Sequence, residues 1–215
     1  MTWNDVTVYQ YQQIQNIKED DILDADVKLV AIMYDLTEKQ VDAMSMAEFN
    51  EKKREVSFVY SEPLVPKTSK YIKASKNVYR FIPDIREVKL GGTGRYITIK
   101  HFQKNVIENL HKIAASMIVP QKKGWFGLKD AEYKADEHEM YAEDILSAKI
   151  VDVYGMIVFF CKVYLNWMDN SKDYLIQTMM MTGKASHSEC EKLVSNLWTF
   201  MDGYIKPQLS QNTKE

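Results

Sequence analysis

Over most of the chain the apolar positions recur every three to four residues, the period of a helix with one buried face. In the middle they recur every two, the period of a strand. The longest apolar stretch, residues 145–167 (ILSAKIVDVYGMIVFFCKVYLNW), contains only Gly155 as a breaker. Asp152 and Lys162 interrupt it and leave Val153 to Cys161 free of charge, short of the roughly 20 residues that a membrane span requires. The pattern predicts one buried central helix over 145–167, with neighbours on all sides.

At the N-terminus, residues 4–18 place Val6, Tyr9, Gln13 and Ile17 on one helical side, with Asn4 or Asp5 as the cap. The alternation in TVYQYQ leaves a strand as the other reading. Asp20 and Asp21 precede an amphipathic helix with a stripe of Leu23, Val27, Val30 and Tyr34, flanked by Ile22 and Ala31. Thr37 with Gln40, and Ser45 with Glu48, have capping-box spacing and mark two helix starts. The second of these helices turns Phe49, Val56 and Val59 inward and Glu51, Lys52, Lys53, Arg54 and Glu55 outward. A DNA-reading helix-turn-helix is the weaker account of this pair, because the second helix opens with Met46, Ala47, Glu48 and Phe49 where base-reading side chains are needed.

Pro63 and Pro66 end this helical part, and the period falls to two. YIKA and VYRFI, joined by a three-residue loop Ser75-Lys76-Asn77, and RYITIKHF over 95–102 predict a three-stranded antiparallel sheet. The glycines of GGTG before the third strand lack the Gly-Lys-Ser/Thr ending of a phosphate loop and read as a turn. A helix over 105–119 is expected to stop at Pro120. Residues 121–139 have no clear period and read as a loop, with Trp125 and Phe126 held between Gly124 and Gly127 and preceded by Lys122 and Lys123. Those aromatics either tuck beneath the loop or wait for a partner. After the central helix, Ser186 or Ser188 caps a last amphipathic helix that Gly203 and Pro207 stop.

Charge sharpens this division. Lys and Arg against Asp and Glu number 6 against 13 over residues 1–66, 14 against 4 over 67–131, and 8 against 13 over 132–215, giving −7, +10 and −5. The basic middle either docks on its acidic flanks or faces an external polyanion. Cys161 and Cys190 are too far apart in sequence for a metal knuckle or redox pair and are expected to be reduced thiols. The opening MTWNDVTVYQ lacks the basic start and apolar core of a secretion signal, so a cytoplasmic location is expected.

No catalytic apparatus stands out. His138-Glu139 begins the His-Glu-x-x-His zinc motif, but Ala142 stands where the second histidine belongs. A metal site from His138, Glu139 or Glu143 with His101 or His111 is the minor reading; acids complementing a helix N-terminus are the major one. Ser116 lies in an apolar helix without a nucleophile elbow, and Cys161 has the apolar surroundings that keep a thiol protonated. A non-enzyme without cofactor or metal is expected.

The run LVAIMYDLTEKQVDAMSMAEFNEKKREVSFV, residues 29–59, resembles small proteins of tailed bacteriophages, among them tail assembly chaperones and related virion-module proteins, including ones in phages of gut Bacteroidetes. The resemblance is carried by Leu36, Thr37, Val41, Asp42, Met44, Glu48, Phe49, Val56 and Phe58. These are apolar anchors and caps, so it implies a fold element and carries over no catalytic residue.

Together these readings predict a mainly α protein with a small antiparallel β insertion (α+β), a multi-helix bundle around a central buried helix. It is expected to form one domain over 1–215, with helical parts at 1–66 and 103–215 and a basic β insertion at 67–102. The resemblance implies binding of a phage structural protein during virion or tail assembly, in the host cytoplasm or the virion, without a membrane partner. Lys122, Lys123, Trp125 and Phe126 are the expected contact residues. The alternative is a nucleic-acid-binding protein that uses Lys73, Lys76, Arg80, Arg95 and Lys100, interleaved with Tyr71, Tyr79, Tyr96 and Phe102.

Overall fold

The structure is a computed structural model that describes residues 1–67, 69–82, 105–125, 127–158 and Ser188. The chain divides into two compact units, Met1–Ile157 and Val158–Glu215. The expected third strand at 95–102, the continuation of the central helix beyond Val158, both cysteines and the last helix apart from Ser188 lie outside the described residues. The fold is mainly helical with a small antiparallel sheet, as the pattern predicts, but the sheet among the described residues has four strands where the pattern predicts three. Among the described residues no helix is long and apolar enough to cross a membrane.

The first helix starts later than expected. Thr2 caps a 3-10 turn over Trp3–Asp5, and Thr7 forms a second capping box with Gln10 that opens α1, Val8–Gln15. Val6 between them is extended, and its carbonyl accepts from the Ile150 amide at 2.9 Å. The buried face of α1 is therefore Val8, Tyr11, Gln12 and Ile14, and Tyr9 is exposed. Buried Gln12 donates to the carbonyls of Ile107 and Glu108 at 2.6 and 2.7 Å, tying α1 to the turn before a later helix.

Asp21 caps α2, Ile22–Tyr34, by accepting from the Leu23 and Asp24 amides, and Asp35 ends it in the left-handed region at φ 54°. Its buried face is Asp26, Leu29, Val30, Ala31 and Met33, rotated from the predicted stripe, so Leu23 is exposed. Asp26 is the reason. A carboxylate reads as a surface residue, but here it faces Lys53 of the fourth helix.

The two predicted starts are in place. Thr37 and Gln40 make a full capping box for α3, Glu38–Asp42. Ser45 accepts from the Glu48 amide at 3.2 Å to open α4, Met46–Val56, although Glu48 does not complete the box. Phe49 and Val56 are buried, and after Ser57 a short α5, Phe58–Ser61, buries Phe58 against Trp3 with ring centroids 5.3 Å apart. Leu36, Thr37, Val41, Phe49, Val56 and Phe58, part of the resembling run, thus serve as caps, core or near-core residues.

The sheet runs β1, Tyr71–Ala74; β2, Asn77–Phe81; β3, Ile118–Gly124; and β4, Gly127–Asp130, in that spatial order. The first turn has two residues and not three, because Asn77 pairs with Ala74 and Ser75 takes φ 49°. Ile72, Ala74, Tyr79 and Phe81 point inward, while Lys73 and Arg80 point outward. The end of β3 and all of β4 replace the first part, up to Asp130, of the loop expected over 121–139. The helix before them, α6, is only Leu110–Ala115, and Pro120 lies inside a strand. Pro120 turns its carbonyl to the Ala131 amide at 2.8 Å, past the end of β4, so no ladder donor is needed toward β2.

The predicted central helix is interrupted. After a 3-10 turn at Ala135–Glu137, α7 spans His138–Ile145 and ends. Ser147 bonds back to the Asp144 carbonyl, Lys149 bridges Thr7, and a new helix, α8, runs over residues 150–158. The start of α1 takes up the carbonyls freed at the break: those of Ala148 and Leu146 accept from the Val8 and Tyr9 amides at 2.9 and 3.0 Å. The burial itself is as expected, since Ile145, Ala148, Ile150 and Val153 have no exposed surface. At Gly155 the Lys67 backbone approaches so closely that a Cβ would lie 2.2 Å from the Lys67 carbonyl oxygen.

Candidate interaction site on the third and fourth strands

β2 pairs with Ile118, Val119 and Pro120, and from Gln121 to Gly124 β3 pairs with β4. The second half of β3 and all of β4 thus form an arm that continues beyond the β2 ladder. Gly124 pairs with Gly127, with Trp125 in the turn between them, and Gly127 adopts φ 117°, which favours glycine.

The root of the arm is clamped. Arg80 of β2 grips Asp130 with two bonds, Nε to Oδ1 at 3.0 Å and Nη2 to Oδ2 at 2.7 Å, and Gln121 donates to Oδ1 at 2.8 Å. Hydrogen bonds from Arg80 and then Gln121 hold the Asp130 carboxyl down at about 2.

The far half is basic and open. Lys122 faces Lys129 across the ladder, Lys123 faces Leu128, and all four are exposed. Like charges directly opposite one another destabilise a hairpin in isolation. Trp125 is 92% exposed. Trp125 thus stands open to solvent at the end of the strand pair and is not tucked beneath it, while Phe126 lies outside the described residues.

The alternative basic set is not gathered in the same way. Lys73 and Lys76 are exposed on β1 and its turn, and Arg80 is committed to Asp130. Arg95, Lys100, Tyr96 and Phe102 lie outside the described residues. Tyr79 points inward: its hydroxyl donates to Asp144 Oδ2 at 2.6 Å, and Asn77 donates to the same oxygen at 2.7 Å. Lys112 lies 3.2 Å from Glu139, an ion pair between the basic middle and the C-terminal acidic flank.

His138 is buried, and its Nδ1 lies 2.6 Å from the Tyr133 hydroxyl. Burial foremost, then the neighbouring Tyr141 and Glu139, raise the Tyr133 pKa. His111 lies 3.1 Å from Gln12 Nε2, and His101 lies outside the described residues. Among the described residues no group of three metal-ligating side chains converges.

A groove that the sequence pattern does not reveal, about 1070 Å³, is lined by Tyr9, Gln13, Ile17, Ala31, Ile32 and Leu36 among others, with lysines and carboxylates interspersed. It arises where α1 meets the α2–α3 corner, a junction of segments whose helical faces were each read separately. The chain matches no protein-family model, no curated protein and no solved structure.

Proposed function

We propose that this chain is a non-catalytic assembly protein of a phage virion or tail, acting in the host cytoplasm, that binds a structural partner through the β3–β4 arm. The observation that carries the reading is Trp125, 92% exposed at the end of an arm whose root is fixed by Arg80 and Asp130. An indole held in water on a pre-ordered strand pair loses little conformational freedom on binding, and tryptophan is prominent among the residues that dominate interface energies. The phage resemblance over residues 29–59 supplies the setting, and it rests on fold-forming positions alone.

The nucleic-acid reading has less support, since Arg80 is engaged and Tyr79 is turned inward, away from any stacking role. A photo-crosslinking residue at position 125, used in infected cells, tests the proposal. It should join the protein to one defined virion or tail protein, and crosslinks chiefly to nucleic acid would overturn it.

A further inference from the structure

The chemistry of the arm is matched elsewhere on the same chain. Between Gln121 and Lys129 the arm carries Lys122, Lys123 and Lys129 and no acid, around Trp125 and a Leu128 that is 43% exposed. Residues 19–24 at the start of α2 read Glu-Asp-Asp-Ile-Leu-Asp, and all six are exposed. Ile22 is 79% exposed and Leu23 55%. Ile22 lies on the stripe of Asp26, Leu29 and Met33, so it carries the buried face of α2 past the end of the core into solvent.

One surface is thus apolar at its centre with a basic rim, and the other is apolar at its centre with an acidic rim. Glu19 pairs with Lys28 and Asp21 caps α2, while no ion pair among the described residues engages Asp20 or Asp24. No hydrogen bond or ion pair among the described residues joins the arm to residues 19–24 within one chain.

We infer that the arm of one copy seats on residues 19–24 of a second copy, with Trp125 against Ile22 and Leu23 and the lysines against Asp20 and Asp24. The opposite Lys122 and Lys129, which repel each other across the ladder, then gain counter-charges beyond the Glu137 carboxylate that Lys122 already influences. The two patches differ, so each associating copy still offers one of each, and growth proceeds to a ring or an open chain. The inference rests on the reading of the arm as a protein-binding element and adds a second copy of the chain to what it takes.

Sedimentation velocity on the full chain over a concentration series tests this, with melting curves to confirm folding. The wild type should associate, less at high salt. Lys122→Glu with Lys123→Glu should be monomeric, and so should Asp20→Lys with Asp24→Lys. An equimolar mixture of these two charge-reversed proteins should associate again. Trp125→Ala should weaken self-association about thirtyfold. Where a reversed protein melts early, Lys129→Glu and Leu23→Ser take its place.

A wild type that stays monomeric at every concentration, or reversed proteins that fail to restore each other, overturns the inference. So does a monomeric wild type retained on heparin or on anionic vesicles. If capture of a structural partner still depends on Trp125 in that case, the assembly reading stands and only self-association falls. If Trp125→Ala changes neither, both fall.

Discussion

Asp26 of α2, only 2% exposed, faces Lys53 of α4 with Nζ 2.5 Å from Oδ2, and the Tyr60 hydroxyl donates to Oδ1 at 3.3 Å. The Lys53 contact is ionic, without an aligned hydrogen bond at Oδ2. A buried carboxylate that loses its cation costs more than the pair contributes, so Lys53→Ala should destabilise the fold by about 1–3 kcal/mol, moderated because Lys53 itself is partly open to water. Asp26→Leu combined with Lys53→Met should recover most of that loss in urea unfolding. An equally large loss in the double variant would mean the pair is not what holds α2 against α4.

The helix pattern was readable in residues 22–61, where the start signals are local, the two halves of each lying within four positions of one another, as in Thr37 with Gln40. The rotation of α2 was not, because an inward Asp26 is apparent only once Lys53 is beside it. The break at residues 146–149 was hidden for a similar reason: its backbone partners, Val6 to Tyr9, lie at the other end of the described unit. The Trp125 tip was visible from its flanking glycines. Its strands were not, since β4 is exposed along its whole length and β3 contains a proline and two adjacent lysines, which leaves no alternation of apolar and polar positions to detect.

Gly155 has no room for a methyl group, because a Cβ there would lie 2.2 Å from a backbone oxygen that cannot rotate aside. Gly155→Ala should cost about 3 kcal/mol despite its better helix propensity. A thermal melt equal to the parent's would show that the Lys67 backbone is not packed on α8.

Ser45→Ala removes the acceptor for the Glu48 amide and should cost about 1 kcal/mol in denaturant unfolding. No change would leave α4 held by Phe49 and Val56 alone.

The Asp130 carboxyl has its pKa lowered from 3.8 to about 2, so its contribution is complete above 3.8 and disappears as pH falls toward 2. Acid should therefore loosen the root of the arm, seen as faster amide exchange in β4 below about pH 3. Asp130→Asn should show rapid exchange already at neutral pH and lose the acid step. An acid step that persists in Asp130→Asn would assign it to another group.

Whether the arm is a binding element or part of the core is decided by measuring partner capture and thermal melting together for Trp125→Ala. Partner capture should weaken by about 2 kcal/mol or more while the melting temperature stays within about a degree of the parent's. A collapse of the melt, or capture as strong as the parent's, would contradict the account.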